Sequence, residues 1–171
     1  MADEALASIV GRSNLFTDHD ARVEYSFDSD GAPPVVPACV VKPGCVDEVA
    51  EIVRWANETS TPLVPVSSGP PHGRGDTLPN APEAVVLCLD RMKRIIRIDT
   101  RNRIAMVEPG VTFGELQTAL AEQGLCAYLP LGPRTTKSVI GSMLEREPIT
   151  RPAFHWAGHR HRRRDREPFA Q

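Results

Sequence analysis

Apolar residues in the first half of the chain recur at the intervals that strands and helices require. The run VVPACVV at residues 35–41 is apolar and β-branched, which predicts a buried strand. Between residues 47 and 58 the apolar positions follow the spacing i, i+3, i+4, i+7, which predicts an amphipathic helix. The run LVPV at 63–66 predicts a second strand. Together these elements predict a β-α-β unit, which joins parallel strands through a right-handed crossover.

The second half of the chain has the pattern of paired strands followed by a helix. The run AVVLCL at 84–89 predicts another buried strand. The alternating segments 94–99 and 103–108 predict a hairpin, because a tight turn separates them. Thr112 and Glu115 have the spacing of a capping box, in which each side chain binds a free amide at the start of a helix.

The remaining segments complete a mixed α+β architecture. We predict a short helix at 3–10, a polar irregular segment at 11–34, a helix stop at Gly124 and a strand at 126–129. Two amphipathic helices that cover small sheets define an α+β fold. The predicted organisation is an N-terminal helix and loop at 1–34, a main domain at 35–150 and a tail at 151–171.

The composition of the 171 residues fits a globular protein of one ordinary domain. Hydrophobic residues make up 41% and charged residues 25%, which argues against a wholly disordered chain. No apolar run approaches the roughly 20 residues of a membrane helix, so we predict no membrane span. The N-terminal sequence MADEALASIV is acidic and lacks a basic signal region, so we predict a cytoplasmic location.

Charge is concentrated at the C-terminus. Residues 151–171 hold six arginines and two acids, a net charge of +4, whereas the rest of the chain has −6. Such a block predicts a solvated, unfolded tail. Nucleic-acid binding through phosphates is an alternative, but the acidic body and the lack of interleaved aromatic residues disfavour it. His155, His159 and His161 could bind a metal loosely, but they lack an acidic or cysteine partner, so we predict no metal.

The four cysteines do not form a recognised motif. Cys39, Cys45, Cys88 and Cys126 are widely spaced and include no C-x-x-C pair. Neither a zinc site nor a redox-active dithiol is therefore indicated. We interpret them as reduced and mostly buried thiols, which behave as small hydrophobic side chains.

Three segments of small residues are the candidate ligand-binding sites of the chain. The sequence SSGPPHGRGDT at 67–77 follows a predicted strand, Pro109-Gly110 ends the predicted hairpin, and SVIGS at 138–142 follows later. Successive main-chain amides in such loops can form a concave nest for phosphate oxygens. None matches a P-loop or a dinucleotide G-x-G-x-x-G motif, and each could be a plain connector. Three such segments, each ending a strand-like run, suit one long anionic ligand.

The run from Tyr25 to Pro148 resembles the PCMH-type FAD-binding domain of the vanillyl-alcohol oxidase / p-cresol methylhydroxylase superfamily. It is most similar to FAD-linked oxidases of the glycolate oxidase / D-lactate dehydrogenase type. The resemblance rests on six blocks in order: an opening P-x-x-V-V-x-P-like strand, then DEVAEIVRWANE, PLVPV with its small-residue loop, LDRMKRIIRID, VEPGVTFGELQTAL, and SVIGS where the family has T-I-G-G.

The resemblance implies FAD as the cofactor and two small sheets with flanking helices. It places the FAD pyrophosphate in the first loop and the other two segments along the cofactor. The implied contacts are Ser67, Ser68, Gly69, Pro70, Pro71, His72, Pro109, Gly110, Ser138, Val139, Gly141 and Ser142. The family loop reads R-G-G-G-T/S-G, whereas here Val66 takes the arginine place and two prolines remove amide donors. His72 could tether FAD covalently, contact it without a bond, or be a plain surface residue.

The activity implied by the resemblance is flavin-dependent oxidation of a small-molecule substrate, a 2-hydroxy acid or related alcohol. No catalytic residue is identified, because the groups that hold the substrate are expected in a C-terminal cap domain. We interpret the chain as truncated, with AGHRHRRRDREPFAQ as an out-of-frame end. A partner chain that supplies the cap and a non-catalytic FAD-binding fragment remain alternatives.

Overall fold

The computed structural model divides the chain into two compact units, one up to Met92 and the other from Lys93 onward. The described residues are 2–27, 33–68, 78–127, 135–144 and, as backbone, 160–162. The predicted boundaries at 34 and 150 stay a prediction. No helix in these stretches is both long enough and apolar enough to cross a membrane.

The first unit is built around a small mixed sheet. Its elements are α1 (Ala2–Val10), a 3-10 turn (Arg12–Asn14), β1 (Leu15–Phe16), α2 (His19–Val23), β2 (Cys39–Val41), α3 (Val46–Thr59), β3 (Leu63–Val66) and β4 (Val85–Cys88). The strand order is β1-β2-β4-β3, in which β1 is antiparallel to β2, and β2 and β3 are both parallel to β4. The predicted β-α-β unit is therefore present, but β4 lies between its two strands.

Both faces of this sheet are covered by apolar side chains. On one face, Leu6 of α1 and Ile52 of α3 pack against residues of β2 and β4. On the other face, Tyr25 packs with Val40, Val66 and further strand residues. Every residue of β2 and β4 is buried, as expected for parallel strands that are covered on both sides. The strand β3 is an edge strand and contains Pro65, which has no N–H to donate.

Two predictions for the first unit need correction. The strand predicted at 35–41 begins only at Cys39, because Pro37 cannot donate a ladder hydrogen bond. The segment at 11–34, predicted as irregular, contains β1, α2 and a 3-10 turn. The side chain of Asp18 accepts a hydrogen bond from the amide of Ala21 and so caps α2. These elements have two to five residues, too few to show a hydrophobic period.

The second unit contains a hairpin, a capped helix and shorter elements. They are β5 (Ile95–Asp99), β6 (Ile104–Val107), α4 (Phe113–Ala121), β7 (Leu125–Ala127), α5 (Val139–Leu144) and β8 (Arg160–Arg162). The strands β5 and β6 are antiparallel, which confirms the predicted hairpin, with a register shift between Ile95 and Arg97. The side chains of Thr112 and Glu115 each bind the other's amide, which confirms the capping box of α4.

The core of the second unit lies between the hairpin and α4. The buried residues are Val111, Phe113, Leu116, Leu120, Leu125 and Val139. After α4, Gly124 adopts a positive φ of 64°, as expected for a glycine in the turn that ends a helix. The strand β7 begins one residue before the predicted one and pairs antiparallel with β8. The rest of the predicted tail lies outside the described residues.

Candidate cofactor site

The hydroxyl of Ser138 joins two of the three predicted small-residue segments. It donates a hydrogen bond to the carbonyl oxygen of Pro109 at 2.7 Å. It also accepts a hydrogen bond from the amide of Gly141 at 3.0 Å. Ser138 itself is only 1% exposed. One buried side chain thus connects the turn after β6 with the start of α5.

Main-chain hydrogen bonds continue this connection on the α4 side of the turn. The amide of Val139 donates to the carbonyl of Val111 at 3.0 Å, and the amide of Phe113 donates to the carbonyl of Lys137 at 3.0 Å. Thr112 and Ser138 form an antiparallel bridge between these bonds. The segments 109–111 and 138–142 therefore lie side by side within the second unit.

The segment 138–142, predicted as a small-residue site at the end of a strand-like run, begins a helix. Val139 begins the helix α5, and Ser138 holds the preceding position. Its hydroxyl accepts from the amide three residues on, and its carbonyl accepts from the amide of Ser142 at 3.2 Å. A serine in this position is typical of a helix N-cap. The serine followed by apolar residues was the sequence signal for this helix start.

An ion pair with Arg94 fixes Glu108, the residue just before the turn at Pro109-Gly110. The Arg94 side chain donates to Oε1 of Glu108 through Nε at 2.7 Å, with Nη2 at 2.6 Å from the same oxygen. The Arg94 amide donates to Oε2 of Glu108 at 2.8 Å. These hydrogen bonds and the nearby positive charge hold the pKa of Glu108 below its ordinary value of 4.5. The sequence pattern did not predict this pair.

Replacing Glu108 by glutamine should lower the free energy of unfolding by about 1 kcal/mol at pH 7, because charge-assisted hydrogen bonds to Arg94 are lost. The folded pKa of Glu108 lies below 4.5, so its stabilisation is present above that pH and is lost as the pH falls below it. Urea unfolding of both proteins at pH 7 and pH 3 tests this. The gap in stability between wild type and variant should be smaller at pH 3 than at pH 7, and an equal gap at both values would contradict the role of the charge.

The predicted small-residue loop at 67–77 belongs to the first unit, not to the second. Ser67 and Ser68 directly follow β3 and are half-buried, whereas Gly69, Pro70, Pro71 and His72 lie outside the described residues. Ser67 stands at the carboxyl end of a parallel strand, the edge of an α/β sheet where ligands usually bind. The same edge carries Lys42 after β2 and Asp90 after β4.

Lys42 and Asp90 form a largely buried ion pair at this edge. The Lys42 Nζ atom is 2.8 Å from Oδ2 of Asp90, and the two side chains are 22% and 23% exposed. The ammonium also lies 5.3 Å from the ring centroid of Phe16 and 6.0 Å from that of Tyr25. The second carboxylate oxygen of Asp90 is buried and has no partner among the described residues. This pair was not predicted.

Three further titratable groups of the first unit, Tyr25, Cys39 and Cys88, are kept neutral by burial. The Tyr25 hydroxyl donates to Sγ of Cys88 at 3.6 Å. Burial raises the pKa of the Tyr25 phenol and of the Cys88 thiol, and it raises the pKa of Cys39 to about 11. Because a thiolate is the reactive form, Cys39 and Cys88 are packing residues, as predicted.

The fold and the comparisons with known proteins together define a flavin-binding class of protein. Residues 37–147 match the family described as the FAD binding domain, and the chain belongs to that family. Among solved structures, p-cresol methylhydroxylase with substrate bound superposes with a TM-score of 0.76 and 28% identity, over 85% of this chain and 29% of that one. The predicted superfamily, its PCMH-type α+β fold and FAD as cofactor are thereby confirmed.

Curated relatives agree with this assignment. The 1'-carboxy-chondrochloren decarboxylase of Chondromyces crocatus is 33% identical over 83% of this chain and 26% of its own length. The glycolate oxidase subunit GlcD of Bacillus subtilis is 32% identical over 81% of this chain and 29% of its own length. The chain thus spans well under a third of the relatives that it matches.

Proposed function

We propose that this chain is the FAD-binding part of a flavin-dependent oxidoreductase that oxidises a 2-hydroxy acid or a related alcohol. The observation that carries the proposal is the junction of the turn at Pro109-Gly110 with the start of α5 through Ser138. This junction lies inside the stretch that matches the FAD binding domain family. The substrate class follows from the name of the glycolate oxidase relative, because glycolate is a 2-hydroxy acid.

The chemistry of the donor groups fits FAD. Gly110 is a buried residue, and among the described residues no acceptor is assigned to its amide N–H. A ligand oxygen that accepts a hydrogen bond from this amide would stabilise the turn. Considered separately, the first unit carries the hydroxyl groups of Ser67 and Ser68 after β3, and hydroxyl donors suit phosphate oxygens. Neutral donors of this kind hold a phosphate without a charged side chain.

The residues at these turns bind and orient the cofactor. FAD, when bound, supplies the electron-accepting ring for oxidation of the substrate. The Glu108–Arg94 pair and the Ser138 hydroxyl fix the two ends of the turn at Pro109-Gly110. Val139, Gly141 and Ser142 present the first turn of α5 beside it. Orientation by rigid main chain is the contribution that such a domain makes to the reaction.

Titration of the purified chain with FAD tests the proposal. Bound FAD should lose fluorescence, and it should raise the melting temperature because it binds only the folded state. FMN, which lacks the AMP half, is the matched control and should bind more weakly. The absence of any thermal shift at saturating FAD would refute the proposal.

A second measurement separates an enzyme from a non-catalytic FAD-binding fragment. Anaerobic addition of glycolate or D-lactate to the FAD complex should bleach the visible flavin absorbance if this chain alone is competent. Binding without bleaching would favour the fragment, or an enzyme that needs a partner chain for its cap. The cytoplasmic location, the partner chain, the role of His72 and an unfolded tail outside β8 stay predictions, and nucleic-acid binding remains the disfavoured alternative.

A further inference from the structure

The resemblance places Ser138 among the residues that meet FAD, but its side chain is already engaged within the protein. A serine hydroxyl has one hydrogen to donate. That hydrogen goes to the carbonyl oxygen of Pro109, and the same oxygen atom accepts from the amide of Gly141. The residue is also almost fully buried. Its hydroxyl therefore has no proton left to offer a ligand.

We propose that Ser138 is a positioning residue, which holds the turn at Pro109-Gly110 at a fixed separation from the first turn of α5. This inference rests on the proposed function and deepens it. The Gly110 turn and the first turn of α5 are then held in one fixed arrangement before FAD binds. A preformed surface binds more tightly because less ordering is required when the ligand arrives.

The main-chain bonds of the junction cannot replace this hydroxyl. They join Val111 to Val139 and Phe113 to Lys137, on the side that leads into α4. The turn is also closed internally by a hydrogen bond from the amide of Val111 to the carbonyl oxygen of Glu108, at 3.1 Å. The Ser138 hydroxyl connects the carbonyl of Pro109 with the start of α5. Its removal would leave that carbonyl and the Gly141 amide without their partners.

The variants S138A and S138T test the inference through FAD affinity measured by fluorescence quenching. Alanine removes both hydrogen bonds and should raise the Kd for FAD about tenfold. Threonine keeps the hydroxyl and should remain within about threefold of wild type. A purely structural role would lower the melting temperature of S138A and leave its Kd for FAD unchanged.

Gln117→Ala is the matched control in the same unit. The Gln117 side chain also makes two hydrogen bonds to main chain, accepting from the Ala127 amide at 3.1 Å and donating to the Ala127 carbonyl at 3.2 Å. Its removal should lower the melting temperature to a similar extent, because the same number of bonds is lost. The Kd for FAD should not change, because these bonds lie at β7 and not at the turn.

Hydrogen exchange without FAD supplies a readout that does not depend on ligand binding. The Gly141 amide should exchange faster in S138A than in wild type, because its acceptor is gone. Unchanged exchange at Gly141 in S138A would overturn the positioning role. This measurement does not use S138T, so it decides the question even if S138T does not fold.

If wild type does not bind FAD, the proposed function and this inference both fail. If wild type binds and S138A binds within twofold of it, only this inference fails.

Discussion

Replacing Leu120 by alanine is expected to lower the free energy of unfolding of the second unit by about 3 kcal/mol. Leu120 has no exposed surface and lies on the buried side of α4, in one cluster with Phe113 and Leu116. Truncation of a buried leucine costs the transfer energy of the lost methyl groups and the energy of the cavity that remains. The same cluster includes Val111 and Val139, which flank the candidate site, so the loss should also weaken FAD binding.

Urea unfolding followed by circular dichroism measures this loss, and Leu144→Ala is the matched control. Leu144 is in the same unit and undergoes the same chemical change, but its side chain is 78% exposed. Its replacement should change the free energy of unfolding by less than about 0.5 kcal/mol. Similar losses for the two variants would show that Leu120 is not part of a packed core.

Replacing Lys42 by methionine is expected to lower the free energy of unfolding by about 2–3 kcal/mol. The substitution removes the positive charge 2.8 Å from Asp90 and leaves a carboxylate that is largely buried. Removal of one partner of a buried pair is more costly than the pair is favourable, because the other charge stays uncompensated. The second oxygen of Asp90, which is buried without a partner among the described residues, adds to this cost.

A double-mutant cycle and an exposed pair provide the controls for Lys42. The double variant Lys42→Met with Asp90→Leu should be more stable than Lys42→Met alone, because no unpaired charge remains. Lys93→Met breaks the pair with Glu115, whose side chains are 48% and 42% exposed, and should cost at most about 1 kcal/mol. Equal losses for Lys42→Met and Lys93→Met would contradict the importance of burial at the sheet edge.

Elements with a complete local signal were predictable from the sequence. The capping box at Thr112 and Glu115 involves residues three positions apart, so the chain itself specifies the start of α4. The helix α3 has a hydrophobic period over 14 residues and was placed within one residue at each end. The insertion of β4 between β2 and β3 was not predictable, because strand order depends on pairing between distant segments.

The candidate site, too, was predictable from the sequence only in part. The turn at Pro109-Gly110 and the segment at 138–142 are recognisable because small residues stand at the ends of apolar runs. Their fixation by the Ser138 hydroxyl joins residues 29 positions apart, and the Lys42–Asp90 pair joins residues 48 positions apart. Serines and opposite charges occur throughout the sequence, so composition cannot show which of them meet.

The proline in the edge strand β3 has a consequence for how copies of this chain behave at high concentration. An exposed edge normally offers alternating N–H and C=O groups, on which a strand from another molecule can assemble. Pro65 is exposed at this edge and removes one N–H from its middle. Edge-to-edge association through β3 is therefore disfavoured, and aggregation of the concentrated protein should not begin at this strand.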